Sequence, residues 1–296
     1  MPCSVILLPG PFCHDTSTRS RPTRHQIRQR EEEKNVLPPL QTLEEVGSTN
    51  DEARALGRSG APSGAAVAAR RQTAGRGRRG HTWASPEGNL YLSVLLRPAV
   101  PPSKLPGLAA ACGLGMLDAL DGFGLSNVPQ LKWPNDVLAR ERKLAGILVE
   151  AGRDEAGETF AVCGVGVNIE RAPANLGAIC LADLGAAPSF SALAEALRDG
   201  IVARTDAWAA AGGIEPLAGI RDDYLARLTW LGQQVVALSP EGYVLCRGNL
   251  LAVDLWGRAV VEAPDGPRSF STEQVSLRSA CPPTGAAPTR VPAGEL

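Results

Sequence analysis

Apolar positions along the chain change period several times, and each change marks an element. Residues 90–96, Leu-Tyr-Leu-Ser-Val-Leu-Leu, form a short apolar run closed by Pro98, the pattern of a buried strand. Residues 105–120 stay apolar for longer and are rich in Ala, which predicts a buried helix. Further strands are expected at 65–71, 130–133, 137–139, 143–150 and 160–167, with turn signals at Pro134-Asn135-Asp136 and at 152–157. Ser48, with Asp51 three residues on, is a helix-start signal; 53–56 continue that helix and 57–64 break it. Two more helices are expected at about 189–211 and 216–229. Strands followed by helices, without strict βαβ alternation, predict an α/β (α+β) domain: a mixed sheet with helices on one face.

Beyond Gly232 the pattern shortens. Apolar runs at 235–238, 243–246, 249–254, 259–262 and 269–271 are punctuated by Gly242, Gly248, Gly257 and Gly266, as in a small β-barrel. Neither period survives before Leu40, where Pro, Ser, Thr and Arg lead into Glu31-Glu32-Glu33-Lys34. The division expected is a disordered tail at 1–38, a main domain at 39–231, a barrel at 232–279 and a flexible tail at 280–296.

Composition narrows the partners. Of 296 residues, 44% are hydrophobic and 21% charged, and the net charge is -1, which gives no bulk reason to expect nucleic acid or a membrane. No apolar run is read as reaching the roughly 18–20 residues of a membrane helix, and no secretory signal is seen, so a cytoplasmic location follows by default. Cys3, Cys13, Cys112, Cys163, Cys180, Cys246 and Cys281 form no C-x-x-C pair, which argues against zinc and for small buried hydrophobes in a reducing compartment.

Gly75-Arg76-Gly77-Arg78-Arg79-Gly80 matches G-x-G-x-x-G literally. A dinucleotide fingerprint must open a helix and be followed by an acidic residue about 20 positions later. Here the loop leads through Pro86 and Gly88 into a strand, so that reading fails. Arg70, Arg71, Arg76, Arg78 and Arg79 nevertheless concentrate positive charge in a neutral chain, and the glycines allow close backbone approach. Guanidinium groups bind phosphate and carboxylate through paired hydrogen bonds, so an anionic small ligand accounts for both residue types. Lys132-Trp133-Pro134-Asn135-Asp136 sets a lysine and a carboxylate around a turn. Lys143 enters a strand in which Gly146 signals close approach by a ligand or another backbone. Gly164-Val-Gly-Val-Asn168 ends a strand in an amide.

Together, Ser48-Thr49-Asn50, Gln72-Thr-Ala-Gly-Arg-Gly-Arg-Arg-Gly80, Trp83-x-Ser85-Pro86, Asn89-Leu90-Tyr91, Lys132 to Asp136, Lys143 to Glu150, Gly164 to Asn168 and Val275-Ser-Leu-Arg278 resemble the biotin–protein ligases over about 40–280. The resemblance implies a class II synthetase-like catalytic domain followed by an SH3-like barrel. It implies ATP-dependent formation of biotinyl-5'-AMP, then transfer of biotin to one lysine of a carboxylase biotin carrier domain. It gives Lys143, Arg76 and Arg78 catalytic roles. It gives biotin to Ser48, Thr49, Asn50, Gln72, Gly75, Arg76, Gly77, Arg78, Lys143 and Gly146. It gives ATP to Arg76, Arg78, Arg79, Trp83, Lys132, Asn135, Asp136, Lys143, Asn168 and Arg278. Mg²⁺ is expected with ATP, near Asp136, without a fixed protein site. Some family members carry an N-terminal DNA-binding domain; no such pattern precedes Leu40, so no specific DNA binding is expected. A homodimer through the sheet edge stays open. His81 stands where a further cation could sit.

Three alternatives compete. A lipoate or octanoate ligase or transferase shares the fold but needs no ureido reader. A non-catalytic biotin sensor could dispense with Lys143 and the basic loop. A nucleic-acid-binding barrel would need an aromatic stacking surface that is not evident here.

Overall fold

The computed structural model describes residues 37–173 and 177–280. Most of the expected tails at 1–38 and 280–296 lies outside the described residues. Seven strands form one sheet: β1 (Leu40–Val46), β2 (Ala66–Gln72), β3 (Leu90–Leu96), β4 (Pro129–Lys132), β5 (Asp136–Ala139), β6 (Arg142–Arg153) and β7 (Thr159–Val167). Their order is β1-β2-β3-β7-β6-β5-β4, and β1 with β2 is the parallel pair in an otherwise antiparallel ladder. The α-helices among the described residues are α1 (Thr49–Arg58), α2 (Leu108–Leu120), α3 (Phe190–Ala210) and α4 (Arg221–Ala226).

Side-chain alternation sorts the helices between two faces. Leu90, Leu92, Val94 and Leu96 of β3 join Ala161, Cys163, Val165 and Val167 of β7 in the main core, together with Leu114, Leu117, Leu197 and Ile201 of α2 and α3. Leu95, Phe160 and Val162 point the other way and pack against Ala53 of α1. The expectation of helices on one face is therefore corrected: α1 covers the opposite face, and several of the candidate site residues sit beside it. Ser48 occupies the N-cap position without a side-chain cap bond, and α1 runs on through Gly57, a glycine that packing requires, since a Cβ there would stand 2.6 Å from the Phe160 ring.

The 21-residue stretch Leu105–Leu125 contains an 18-residue window of mean hydropathy 1.4, long and apolar enough by length and composition to cross a membrane, which corrects the expectation that no run is. Here 61% of that window is buried, and α2 packs in the core against α3. The two helices cross at Gly115 and Gly200, where a Cβ on Gly115 would stand 2.2 Å from the Gly200 carbonyl oxygen. The helix expected at 216–229 is the shorter α4. The described cysteines are buried free thiols.

The second sheet comprises β8 (Gln234–Leu238), β9 (Val244–Val253), β10 (Ala259–Ala263), β11 (Gly266–Phe270) and β12 (Ser276–Ser279), in the order β11-β10-β9-β8-β12 and antiparallel throughout. The two strands expected at 243–246 and 249–254 are one strand. Gly248 lies inside β9 rather than at a turn, because a Cβ there would meet the Glu262 carbonyl oxygen at 1.7 Å. Trp133, buried at the β4–β5 turn, donates from Nε1 to the Gly257 oxygen (2.9 Å) and ties this sheet to the first.

The helix crossing predicts that Gly115→Ala costs about 1–3 kcal/mol through overpacking. Gly122→Ala, where nothing lies within 4 Å of the added Cβ, should stay within about 0.5 kcal/mol of the parent. Thermal or denaturant unfolding of the two variants checks this; equal stabilities would contradict the close approach.

Candidate active site

The cleft on the α1 face has a floor without side chains. Gly146 of β6 and Gly166 of β7 are register partners, and Leu148 pairs with Gly164. The Trp83 indole lies on the first pair: a Cβ at Gly146 would stand 2.8 Å from its ring and one at Gly166 2.6 Å. Asn50 lies over Gly164, whose Cβ would meet Asn50 Oδ1 at 2.1 Å. The close approach signalled by Gly146 is thus made in this structure by an indole. Around this floor, Ser48, Thr49, Asn50, Gln72, Arg76, Gly77, Trp83, Asn135, Lys143 and Leu148 line a cleft of about 490 Å³ including its mouth.

One end is a buried polar cluster. Ser48, Thr49 and Asn50 open α1 and are all buried. Gln72 Oε1 accepts from the Thr49 amide (2.8 Å) and hydroxyl (3.0 Å), and its Nε2 donates to Ser85 Oγ (3.1 Å). Ser93 Oγ lies 2.8 Å from Thr49 Oγ1 and 2.6 Å from Asn50 Oδ1. Asn50 Nδ2 donates to Glu150 (2.7 Å), which also pairs with Arg54 at 2.9 Å.

The other end is cationic. Strand parity would put Lys143 and Gly146, three residues apart, on opposite faces. A bulge between β5 and β6, where Val137 pairs with Ala145 and Leu138 with Lys143, reverses that parity. Such bulges re-aim side chains. Lys143 therefore reaches over the Trp83 ring (5.0 Å) and binds Asp136 Oδ1 at 2.6 Å, while Lys132 binds Oδ2 at 3.1 Å. Burial raises the Asp136 pKa, but Lys132 and Lys143 outweigh it and hold the carboxyl below its ordinary range. Burial also depresses Lys132, against the pull of Asp136. Both oxygens of Asp136 are thus engaged by ammonium groups. Among the described residues no cluster of three His, Cys, Asp or Glu offers a metal site. This donor set does not fit a fixed Mg²⁺ site.

The arginines of the glycine loop divide. Arg76 reaches the cleft but is held by Asp51 through two 2.7 Å bonds and approaches Glu150 at 3.5 Å. Its pKa is raised, with the Asp51 hydrogen bond the main cause. Arg78 and Arg79 turn away from the cleft. Arg78 donates to Asn135 Oδ1 and the Thr272 oxygen (3.2 Å each). Arg79, at φ 55°, donates to the oxygens of Thr272 (2.6 Å) and Glu273 (3.0 Å). Both side chains are held by backbone carbonyls ahead of β12.

Gly75 supports the loop from outside the floor, since its missing Cβ makes room for Ser85 and the Trp83 carbonyl. Asn168 also lies off the cleft: its Nδ2 protons go to the oxygens of Lys143 (3.3 Å) and Ile179 (3.1 Å). Arg278 on β12 acts on Lys132 through its charge. His81 is exposed. Ser85, Ser93, Leu148, Glu150, Gly164 and Gly166 were not assigned to the site from sequence. Period-2 alternation from Gly146 reaches Leu148 and Glu150, and Ser93 is the one polar residue in an apolar strand.

The family model described as "Biotin/lipoate A/B protein ligase family" matches residues 44–168. The biotin–[acetyl-CoA-carboxylase] ligase of Mycobacterium tuberculosis is 38% identical over 240 residues, covering 75% of this chain and 85% of that protein. The ligase of the same name from Paracoccus denitrificans is 34% identical, covering 79% and 98%. Among solved structures, the biotin protein ligase of Aquifex aeolicus in complex with biotin and ATP aligns at TM-score 0.69 and 27% identity, covering 82% of this chain and all of that one.

The two acidic partners should separate by burial. Removing one member of a buried pair costs about 3–5 kcal/mol, whereas an exposed pair contributes about 0–1 kcal/mol. Asp136→Asn should therefore lower stability far more than Asp51→Asn, whose side chain is 53% exposed. Because the folded pKa of Asp136 is depressed, its contribution is present above the ordinary carboxylate range and lost as pH falls through the folded value. Denaturant melts at neutral and acidic pH check both points: the gap between wild type and Asp136→Asn should close in acid.

Proposed function

The chain belongs to the biotin/lipoate A/B protein ligase family, and we propose how its cleft divides the work of that activity. The protein is an ATP-dependent biotin–protein ligase. A biotin carboxylate oxygen attacks the α-phosphorus of ATP, and pyrophosphate leaves. The amine of a carrier lysine then attacks the acyl carbon of biotinyl-5'-AMP; AMP leaves, the amine gives up a proton and an amide forms.

The observation that carries the assignment is the pairing of a neutral hydrogen-bonding end with a cationic end across a glycine floor. Ser48, Thr49, Asn50 and Gln72 face the neutral, polar ureido ring. Leu148 and the Trp83 indole suit the apolar chain. Lys143 meets the carboxylate. Two anions must approach one another in the first step, and preorganised positive charge lowers that barrier. Lys143 and Lys132 share one carboxylate, so the cluster keeps a net positive charge for an incoming anion. Arg76 is released from Asp51 when the ligand's anion competes for it. Arg78 and Arg79 reach the nucleotide only if the loop leaves the carbonyls of 272–273, which makes the loop a lid that closes from the second sheet onto the cleft. Arg278 and Asn135 lie on the nucleotide side. No protein nucleophile is required, because the attacking amine belongs to the carrier; the site positions and neutralises. Mg²⁺ enters as the counter-ion of the ATP phosphates rather than on a protein site.

ATP–pyrophosphate exchange tests this with biotin, lipoate and octanoate compared. Exchange should require biotin, and Lys143→Ala should lower it by about 10²–10³-fold with the fold retained. Exchange driven by lipoate or octanoate instead would move the activity to that branch of the family. Full exchange by Lys143→Ala would remove the charge-neutralising role.

A further inference from the structure

Trp230 stands at the joint between the two sheets, four residues before β8. The backbone ahead of it runs beside β4: the Leu131 amide donates to the Arg227 oxygen and the Thr229 amide to the Leu131 oxygen, at 2.8 Å each. The backbone after it belongs to the second sheet, where the Gly232 amide donates to the Leu250 oxygen (2.7 Å). The Trp230 ring is buried, and the Lys132 ammonium lies over it, 5.7 Å from the ring centroid. Two features make tryptophan an unfavourable choice for this place. Its φ of 63° falls in the left-handed region, which a bulky side chain rarely adopts. Its indole N–H is buried and meets no acceptor among the described residues, so packing alone would favour phenylalanine. What the indole supplies instead is the strongest π face for a cation among the aromatic side chains.

The cation above it needs that face. The Lys132 side chain is 12% exposed, and its desolvation favours the neutral amine. Of the charged groups that face it, Asp136 on β5 favours the ammonium, whereas Arg278 on β12 and Lys143 on β6 oppose it. One carboxylate, shared with Lys143, is therefore set against burial and two cations. If Lys132 lost its proton, the charges of Lys143 and Asp136 would cancel, and the excess positive charge of the cluster would be gone.

We infer that Trp230 is a positioning residue for the adenylation step: its indole face holds the charged Lys132 ammonium against one oxygen of Asp136, so that the other oxygen stays on Lys143 and the cluster stays positive. The inference rests on the charge-neutralising role proposed above for the lysines and deepens it. Trp230 touches no substrate; it acts through Lys132.

The test is steady-state adenylation of biotin by the full chain across pH, comparing wild type, Trp230→Phe and Trp230→Leu, with circular dichroism to confirm folding. A cation–π contact to a desolvated ammonium corresponds to roughly 3–30-fold. Trp230→Leu should lower kcat by that factor. It should also move the alkaline limb of the kcat profile down by about 0.4–1.5 pH units, because an ammonium without the π face loses its proton sooner. Trp230→Phe keeps a π face and removes the unpaired N–H, so it should stay within about threefold of wild type with its limb little moved. If Trp230→Leu does not fold, Trp230→Met, with its adaptable apolar side chain, makes the same comparison. An alkaline limb that stays in place when the ring is removed, or an equal loss of kcat in the Phe and Leu variants, makes Trp230 a packing residue. Either result overturns the inference while leaving the ligase intact. Wild-type protein that forms no adenylate from biotin overturns the ligase reading and this inference with it.

Discussion

The site depends on one carboxylate shared by two lysines. Asp136 binds Lys132 through one oxygen and Lys143 through the other. With Asp136 mostly buried, the Lys132 ammonium could not be desolvated there without it. The arrangement holds two cations close together with only one negative charge between them. On the function proposed above, an arriving carboxylate or phosphate completes the balance that Asp136 leaves unfinished. Everything that brings this group into place serves that end: the β4–β5 turn presents Lys132 and Asp136, and the bulge in β6 turns Lys143 to the same face.

The opposite end is a neutral hydrogen-bonding cluster rather than a charged one. Here the glycines matter most. With no Cβ at Gly146, Gly164 and Gly166, the Asn50 amide and the Trp83 indole lie directly on the sheet. That lets α1 pack its first turn against β3 and β7, placing Thr49 and Asn50 within reach of Ser93 and Glu150. Charge and hydrogen bonding are thus separated along one cleft.

Much of this was legible in the sequence. The strand runs and the family resemblance follow from local period and from residue combinations such as Lys132 to Asp136. Three things were not. The face of each helix depends on which alternate residues of β3 and β7 each helix covers, and a buried strand that is apolar on both faces, as 90–96 nearly is, does not announce that. The orientation of Lys143 depends on a single bulged residue, which sequence spacing cannot show. The direction of Arg78 and Arg79 depends on carbonyls almost 200 residues away in the chain, at Thr272 and Glu273. Ser93 carried a signal, one hydroxyl in an apolar run, but its meaning needed the two partners it meets in the fold, Thr49 and Asn50.

The central claim is that this protein works by positioning and neutralising, with no covalent bond to substrate. Mass spectrometry of the protein mixed with biotin and ATP, without carrier, tests it most directly. The account predicts bound biotinyl-5'-AMP under native conditions and unmodified protein after denaturation. A biotinyl group that stays on Lys132, Lys143 or any cysteine after denaturation, and that is then passed to carrier on refolding, would contradict it.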